Sequence, residues 1–495
     1  MADSMVSNSM ARTIDCVPNE ILIEILRQLD SESLKEARLT CSRWARAGAG
    51  LLFRRVYFAP HQKVMEVFTN ITCEPAFAAG VTELIYDGRM FWRYWTDPDV
   101  YYDAYVKAIE SVNWEESDEE YDPSVYTFVK DFGRTLDPQM ESESYKDRAA
   151  AGCGRYTELL TQQREILDTG LDMDVLCHGL QQLLNLTTVS IVHDFDGQGD
   201  FIDLHAPLPL WYGQWSAAIW KNTLPPISWS LCDEMAREAE EGEEENESLM
   251  DVLTNYPWDW RGVVELTKAI SSYSPKITHL HYGSQLSKIP LYTLNDASVA
   301  MSLKLTAGSL KCFKFDSTTS VDGAHQKSLT SDSEAFGVLG EVLEHAQHLT
   351  TLSTSMHTWL PAWQRTFGQV LWPKLSTLEL GDRPLDLNAL KGICQRHQNT
   401  LVDLRLRIIH LDFENGIDSW EDVGAELGSF LKLRGLEIRG LAAGAYRRNG
   451  GREASSSLGA RTERVGYQIM RWVPKSLIEV QRIDDNSAWV NMRLK

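Results

Sequence analysis

A short pattern recurs along most of this chain: apolar-x-x-apolar-x-apolar. It reads Val81-x-x-Leu84-x-Tyr86, Leu186-x-x-Val189-x-Ile191, Ile277-x-x-Leu280-x-Tyr282 and Leu310-x-x-Phe313-x-Phe315. It returns as Leu375-x-x-Leu378-x-Leu380, Leu401-x-x-Leu404-x-Leu406 and Leu433-x-x-Leu436-x-Ile438. Leu349-x-x-Leu352 and Leu477-x-x-Val480 are weaker, with Thr354 and Arg482 in the last place. The final two apolar positions alternate as on one face of a strand. Helical spacing comes before several of them: Val263, Leu266, Ile270 and Tyr273; Phe336, Leu339, Leu343 and Ala346, opened by a Ser331-x-x-Glu334 capping box; Leu387, Leu390 and Ile393; and Trp420, Val423, Leu427 and Phe430 after Ser419. Each unit predicts a helix, a turn and a strand, and its apolar faces stay uncovered until neighbours stack.

Leu352, Leu378 and Leu404 stand 26 residues apart, and the other steps are longer. One strand per 20–29 residues is the signature of leucine-rich repeats, so the array resembles that family. The resemblance is loose, because Arg383 and Ile409 stand where its consensus carries Asn or Cys, although Leu385 and Leu411 fit the next apolar place. It implies an irregular leucine-rich-repeat-like α/β solenoid, with a generic α/β domain as the alternative.

Residues 14–58 differ. Pro18 suits a helix start, Glu20 the positive helix end, and Ile21, Leu22, Ile25, Leu26 and Leu29 follow at helical spacing. Ser33-x-x-Glu36 reads as the capping box of a second helix carrying Leu34, Ala37, Cys41 and Trp44 on one stripe, ended by Gly48 and Gly50. Leu51–Phe58 is expected to reach the cap of the repeat array. So small a unit cannot hide two apolar helices by itself. Val17-Pro18-Asn19-Glu20-Ile21-Leu22, then Leu26 and Leu29, then Leu34-x-x-x-Arg38-Leu39-Thr40-Cys41-Ser42-Arg43-Trp44 resembles an F-box, with Val17 for the usual Leu and Ser42 for the usual basic residue. With the array behind it, the chain is similar to F-box proteins of the fungal type.

That resemblance implies a substrate-recognition subunit of an SCF-type (Skp–cullin–F-box) ubiquitin ligase, without catalysis of its own. The partners implied are a Skp-type adaptor, a cullin through it, and a protein target held by the repeats. The residues it assigns to the adaptor are Val17, Pro18, Ile21, Leu22, Ile25, Leu34, Leu39, Cys41 and Trp44. The other reading is a scaffold bound to the adaptor alone.

The expected fold class is α/β: residues 1–11 disordered, a helical module over 12–58, and the solenoid over 59–495. Acidic insertions are expected near 110–147 and 234–250, and a mobile Gly/Arg/Ser-rich loop near 443–464. The first acidic run has seven Asp or Glu in residues 110–122, and the second has eight in 234–247. Aromatic clusters flank them (Phe91-Trp92, Tyr94-Trp95, Tyr101-Tyr102, then Trp211 to Trp260) and read chiefly as packing.

A net charge of −22 argues against nucleic acid and against an anionic membrane as partners. Residues 12–58 run the other way, with eight Lys or Arg against six Asp or Glu. The eight cysteines stand singly, so no zinc or redox motif is read, and a reducing compartment, cytoplasm or nucleus, is expected. No signal peptide and no transmembrane run is read.

The sequence carries no nucleophile elbow, phosphate loop, HExxH or dinucleotide fingerprint. His345-x-x-His348 and His279-x-His281 read as surface or packing residues rather than ligands. The Asp194–Asp203 cluster fails the calcium-loop spacing, because His205 stands where the closing Glu belongs. No metal or cofactor is expected. Arg405, Arg407, Arg434 and Arg439 are the basic candidates for holding a phosphorylated target.

Overall fold

In the computed structural model, residues 17–106 except 92, 103 and 104 are described, with 145–192, 261–283 except 275, 289–318 and 328–356. So are 366–367, 370–381, 387–407, 427–441, 467–473 and 477–482. The N-terminal 1–11, the acidic runs of 110–122 and 234–247, the Asp194–Asp203 cluster and the loop of 443–464 lie outside them, as do Trp211 to Trp260, Arg383, Ile409 and Trp420.

Three helices open the chain: α1 (Asn19–Leu26), α2 (Ser31–Thr40) and α3 (Ser42–Leu52). The sequence pattern predicts two. The second pattern is cut at Cys41, whose extended backbone (φ −162°, ψ 163°) caps α3 while the Thr40 hydroxyl closes α2 onto the Ala37 carbonyl at 2.6 Å. The cap of α2 also moves: Asp30, not Ser33, accepts the Ser33 N–H at 2.9 Å, and Ser33 Oγ donates to the same carboxylate at 3.0 Å. A carboxylate at the positive helix end outcompetes a hydroxyl three residues later.

Gly48 and Gly50 do not end α3, which runs through both to Leu52. They are there for packing. A Cβ on Gly48 would stand 2.9 Å from the Arg38 Cγ. Gly50 faces Gly80, where an added Cβ would come within 1.9 Å of the Gly50 carbonyl oxygen. Two backbones touch there, and only glycine permits it.

After Phe53 and Arg54 the chain enters β1 (Arg55–Phe58), so the end of 51–58 is part of the sheet. Then come α4 (Gln62–Cys73), α5 (Pro75–Ala78) and β2 (Glu83–Asp87). The interval before the next strand holds α6 (Tyr145–Thr169) and α7 (Leu171–Gln182), joined at left-handed Gly170 (φ 72°). β3 (Thr188–Val192), α8 (Arg261–Tyr273), β4 (His279–Tyr282) and a two-residue β5 (Ile289–Pro290) follow. α9 (Ala297–Ala307), β6 (Cys312–Thr318), α10 (Ser328–His345) and β7 (Thr351–Met356) continue the alternation. It closes with β8 (Thr377–Gly381), α11 (Leu387–Arg396), β9 (Asp403–Arg407), β10 (Gly435–Leu441), β11 (Tyr467–Val473) and β12 (Leu477–Arg482). The Ser331-x-x-Glu334 box falls inside α10, which starts one turn earlier.

The described strands form one twelve-stranded sheet, ordered along the chain from β1 to β12 with β5 beside β6 alone. Pairing is parallel through β10; the β10–β11 and β11–β12 pairs are antiparallel. The recurring pattern becomes two columns. Val56, Leu84, Val189, Leu280, Phe313, Leu352, Leu378 and Leu404 are partners in register. Phe58, Tyr86, Ile191, Tyr282, Phe315, Thr354, Leu380 and Leu406 form the second column in the same register. Both columns are buried, in one core continuous with the helices. Thr354, the weak member, is 1% exposed, and its hydroxyl finds no hydrogen-bond partner among the described residues.

A second ladder lies just before the strands. The carbonyls of Arg54, Thr82, Thr187, Thr278, Lys311, Thr350 and Ser376 each accept two N–H groups from the next unit at 2.8–3.1 Å. Hydroxyls of Thr82, Thr187, Thr278, Thr350 and Ser376 donate to the same carbonyls at 2.8–3.4 Å. A carbonyl has two lone pairs, which the two N–H groups already use, so each hydroxyl is a third donor sharing the same oxygen. The sequence pattern is thus apolar-Thr/Ser-x-apolar in five of these units.

Trp95, Tyr101 and Phe91 are buried around Tyr156 of α6 with ring centroids 5.1–5.8 Å away, so this aromatic cluster is packing. Beside it Asp87 and Arg89 form a buried ion pair at 3.0 Å.

Candidate functional site

The N-terminal module has a core of its own, Leu22, Leu26, Leu34 and Ala37, with Val17, Leu29, Trp44, Ala47, Leu51 and Leu52 packed partly against it. Four fully buried side chains are few for three helices. Its apolar residues divide into two sets. Leu22 (2% exposed) and Leu34 (4%) fill the core. Ile21 (52%), Ile25 (46%) and Leu39 (86%) stand in solvent, the first two one turn apart on α1.

The nine residues assigned to an adaptor thus do not share one surface. Pro18, Ile21, Ile25, Leu39 and Cys41 are exposed, and Val17 and Trp44 are half-buried. Leu22 and Leu34 point inward as part of the module's own core, so they hold the presenting helices in place.

Two arginines fix the module. The Arg43 Nε–H donates to Asn19 Oδ1 at 3.1 Å and the guanidinium also reaches the Val17 carbonyl, so α3 clamps the segment that starts α1. The Arg38 Nε–H donates to the Ala45 carbonyl at 3.3 Å, and its guanidinium carbon lies 5.3 Å from the centre of the Phe77 ring in the Glu74–Gly80 turn. Phe77 also meets Phe53 at 4.8 Å between centroids. Sequence reading noted both arginines as motif positions and missed their work as ties; their signal was positive charge in an acidic chain.

A sequence model of the F-box-like family matches residues 14–59. These residues are an F-box-like domain. No curated protein matches the chain. The F-box-like domain ends where β1 has already joined the sheet, so α3 leads directly into the strands.

The other surface of interest is the sheet face away from the columns. Successive strands place His281, Lys314, Ser353, Glu379 and Arg405 side by side there. The basic candidates are partly neutralised: Arg405 lies 3.6 Å from the Glu379 carboxylate, and Arg434 3.6 Å from Asp403. Arg407 and Arg439 are register partners, with their side chains outside the described residues. His345 donates to the Glu341 carbonyl at 2.7 Å and His348 faces Lys374 at 3.3 Å, so the two do not converge. Among the described residues no group of three His, Cys, Asp or Glu is placed to hold a metal ion, and no helix is long and apolar enough to cross a membrane.

Proposed function

We propose that this chain is the substrate-recognition subunit of an SCF-type ubiquitin ligase. Its F-box-like domain docks onto a Skp-type adaptor, and its sheet, read as an irregular leucine-rich-repeat-like solenoid, holds the protein to be ubiquitinated. The observation that carries the reading is the F-box-like domain at 14–59 presenting Ile21, Ile25 and Leu39 to solvent over a four-residue core. Exposed aliphatic residues on a rigid helical unit are what a protein partner covers. The chain performs no chemistry in this reading. It works by positioning, raising the local concentration of target lysines near the ubiquitin donor.

The test is co-purification of the full chain with a Skp adaptor and a cullin, comparing the parent with a double variant, Ile21→Asp with Leu39→Asp. Loss of the adaptor with the fold intact supports the reading, and unchanged capture refutes it. Capture of adaptor without cullin favours the second reading, a scaffold bound to the adaptor alone.

A further inference from the structure

Three side chains from three adjacent strands meet on the polar face of the sheet. Ser190 on β3 and His281 on β4 are register partners, with the Ser190 hydroxyl 3.1 Å from His281 Nδ1. The other ring nitrogen, Nε2, lies 3.7 Å from Cys312 Sγ on β6. A hydroxyl on one nitrogen orients the ring, and the thiol stands against the other, where an imidazole can take its proton. Ser190 is fully buried, while His281 and Cys312 keep 8% exposure each, so the cluster opens narrowly to solvent. The described cysteines, Cys312 included, form no disulfide.

Basic side chains of the described strands stand beside the thiol. On β4, His279 is the register partner of Cys312. On β6, Lys314 is the next residue on the same face, about 7 Å along the strand. β7 contributes the uncharged Thr351 and Ser353, and β3 the uncharged Thr188. Among the described residues, carboxylates stand at Asp316, about 13 Å along β6, at Glu379 two strands away on β8, and at Glu83, held by Arg55 at 2.8 Å. Reactive cysteines occur beside a histidine or lysine where the sulfur keeps some access to solvent.

We propose that Cys312 is a peroxide-sensitive thiol, oxidised to a sulfenic acid with His281 as its proton acceptor. The thiol proton passes to Nε2, and the thiolate attacks one oxygen of hydrogen peroxide. The S–O bond forms as the O–O bond breaks, and the departing hydroxide recovers the proton from His281 and leaves as water. Sulfur gives up two electrons to peroxide, and Cys–SH with H2O2 becomes Cys–SOH with H2O. The product adds a polar oxygen among His279, His281 and Ser353; that it alters what binds there rests on the target-binding role proposed above, whereas the oxidation does not.

The experiment treats the full chain with graded hydrogen peroxide, traps sulfenic acid with dimedone and reads each cysteine by peptide mass spectrometry. Exposed Cys41 and Cys73 are internal references, and buried Cys394 reports that the core stays closed. Cys312 is expected to be labelled at least tenfold faster than either reference. His281→Gln is expected to slow it at least tenfold while Cys394 stays unlabelled. A Cys312 rate no greater than that of Cys41, or one unmoved by His281→Gln, overturns the proposal. Should that variant label at Cys394, the pH profile of the parent decides. A Cys312 rate equal at pH 6 and pH 8 supports the proposal, and one that rises with pH in parallel with Cys41 overturns it.

Discussion

Gly80→Ala and Gly154→Ala make the same chemical change and are expected to act in opposite directions. At Gly80 the new methyl carbon would lie 1.9 Å from the Gly50 carbonyl oxygen and 2.5 Å from its Cα. Both neighbours are backbone, so no flexible side chain can swing aside. The helix carrying Gly50 or the turn carrying Gly80 must shift, against the Phe53–Phe77 contact and the Arg38 tie. Overpacking of this kind costs about 1–3 kcal/mol, and a clash between two backbones belongs at the upper end, about 3 kcal/mol. Gly154 lies exposed inside α6 with nothing within 4 Å of an added Cβ. There alanine is expected to stabilise by about 0.5–1 kcal/mol, because glycine loses more backbone freedom on folding. Urea unfolding of the full chain reads the net effect, and hydrogen exchange over 42–58 and 75–87 reads the junction. Gly80→Ala should lower the midpoint and raise exchange at the junction; Gly154→Ala should do neither. A Gly80→Ala protein within about 0.5 kcal/mol of the parent, with unchanged exchange, would show that the helical module does not bear on the sheet and would refute the reasoning.

Leu39→Asp should leave unfolding within about 0.5 kcal/mol of the parent, since Leu39 is 86% exposed. Leu22→Ala should cost about 2–5 kcal/mol, since Leu22 is core; equal effects in denaturant titrations would refute the division between the two. Thr354→Val should stabilise by about 1 kcal/mol, because it removes a buried hydroxyl left without a partner and restores the apolar column; a lower melting temperature would refute that account. His61 and His397 are both pushed down to about 4, by burial first and then by neighbouring cations (Lys63 and Arg155 for His61, Arg396 for His397). Their neutral rings belong to the folded state, so stability should be full above pH 6.5 and should fall as pH drops from 6.5 toward 4, by about 2 kcal/mol for each ring. His397→Gln, measured at pH 7.5 and pH 4.5, should show a smaller acid loss than the parent, and an unchanged loss would refute the assignment.

Much of the sheet was legible because its chemistry repeats. Leu378, Leu404 and their counterparts needed only a strand period of two and a buried face to be placed. Strand order was not legible in any single match and followed from the recurrence, since a parallel neighbour needs a covering helix between strands. What the pattern does not carry is strand direction. β11 pairs antiparallel to β10 although Tyr467-x-x-Met470-x-Trp472 fits the same apolar-x-x-apolar-x-apolar spacing. The Thr and Ser ladder was present in the sequence but carries no hydrophobic signal. The Ser190–His281–Cys312 contact joins residues far apart in the chain, and only the register of three strands brings them together.

In the first fifty-odd residues the sequence determined which side chains are apolar and that the unit is too small to hide them all. It did not determine which ones are hidden. Leu22 and Ile21 are adjacent in sequence and chemically alike, yet one is core and the other faces solvent, because a helix turns 100° per residue and α2 and α3 cover one side of α1. The glycines make the same point. Sequence alone reads Gly50 as a helix end, whereas the tertiary structure makes it one half of a backbone contact with Gly80, which fixes how the F-box-like domain sits on the sheet.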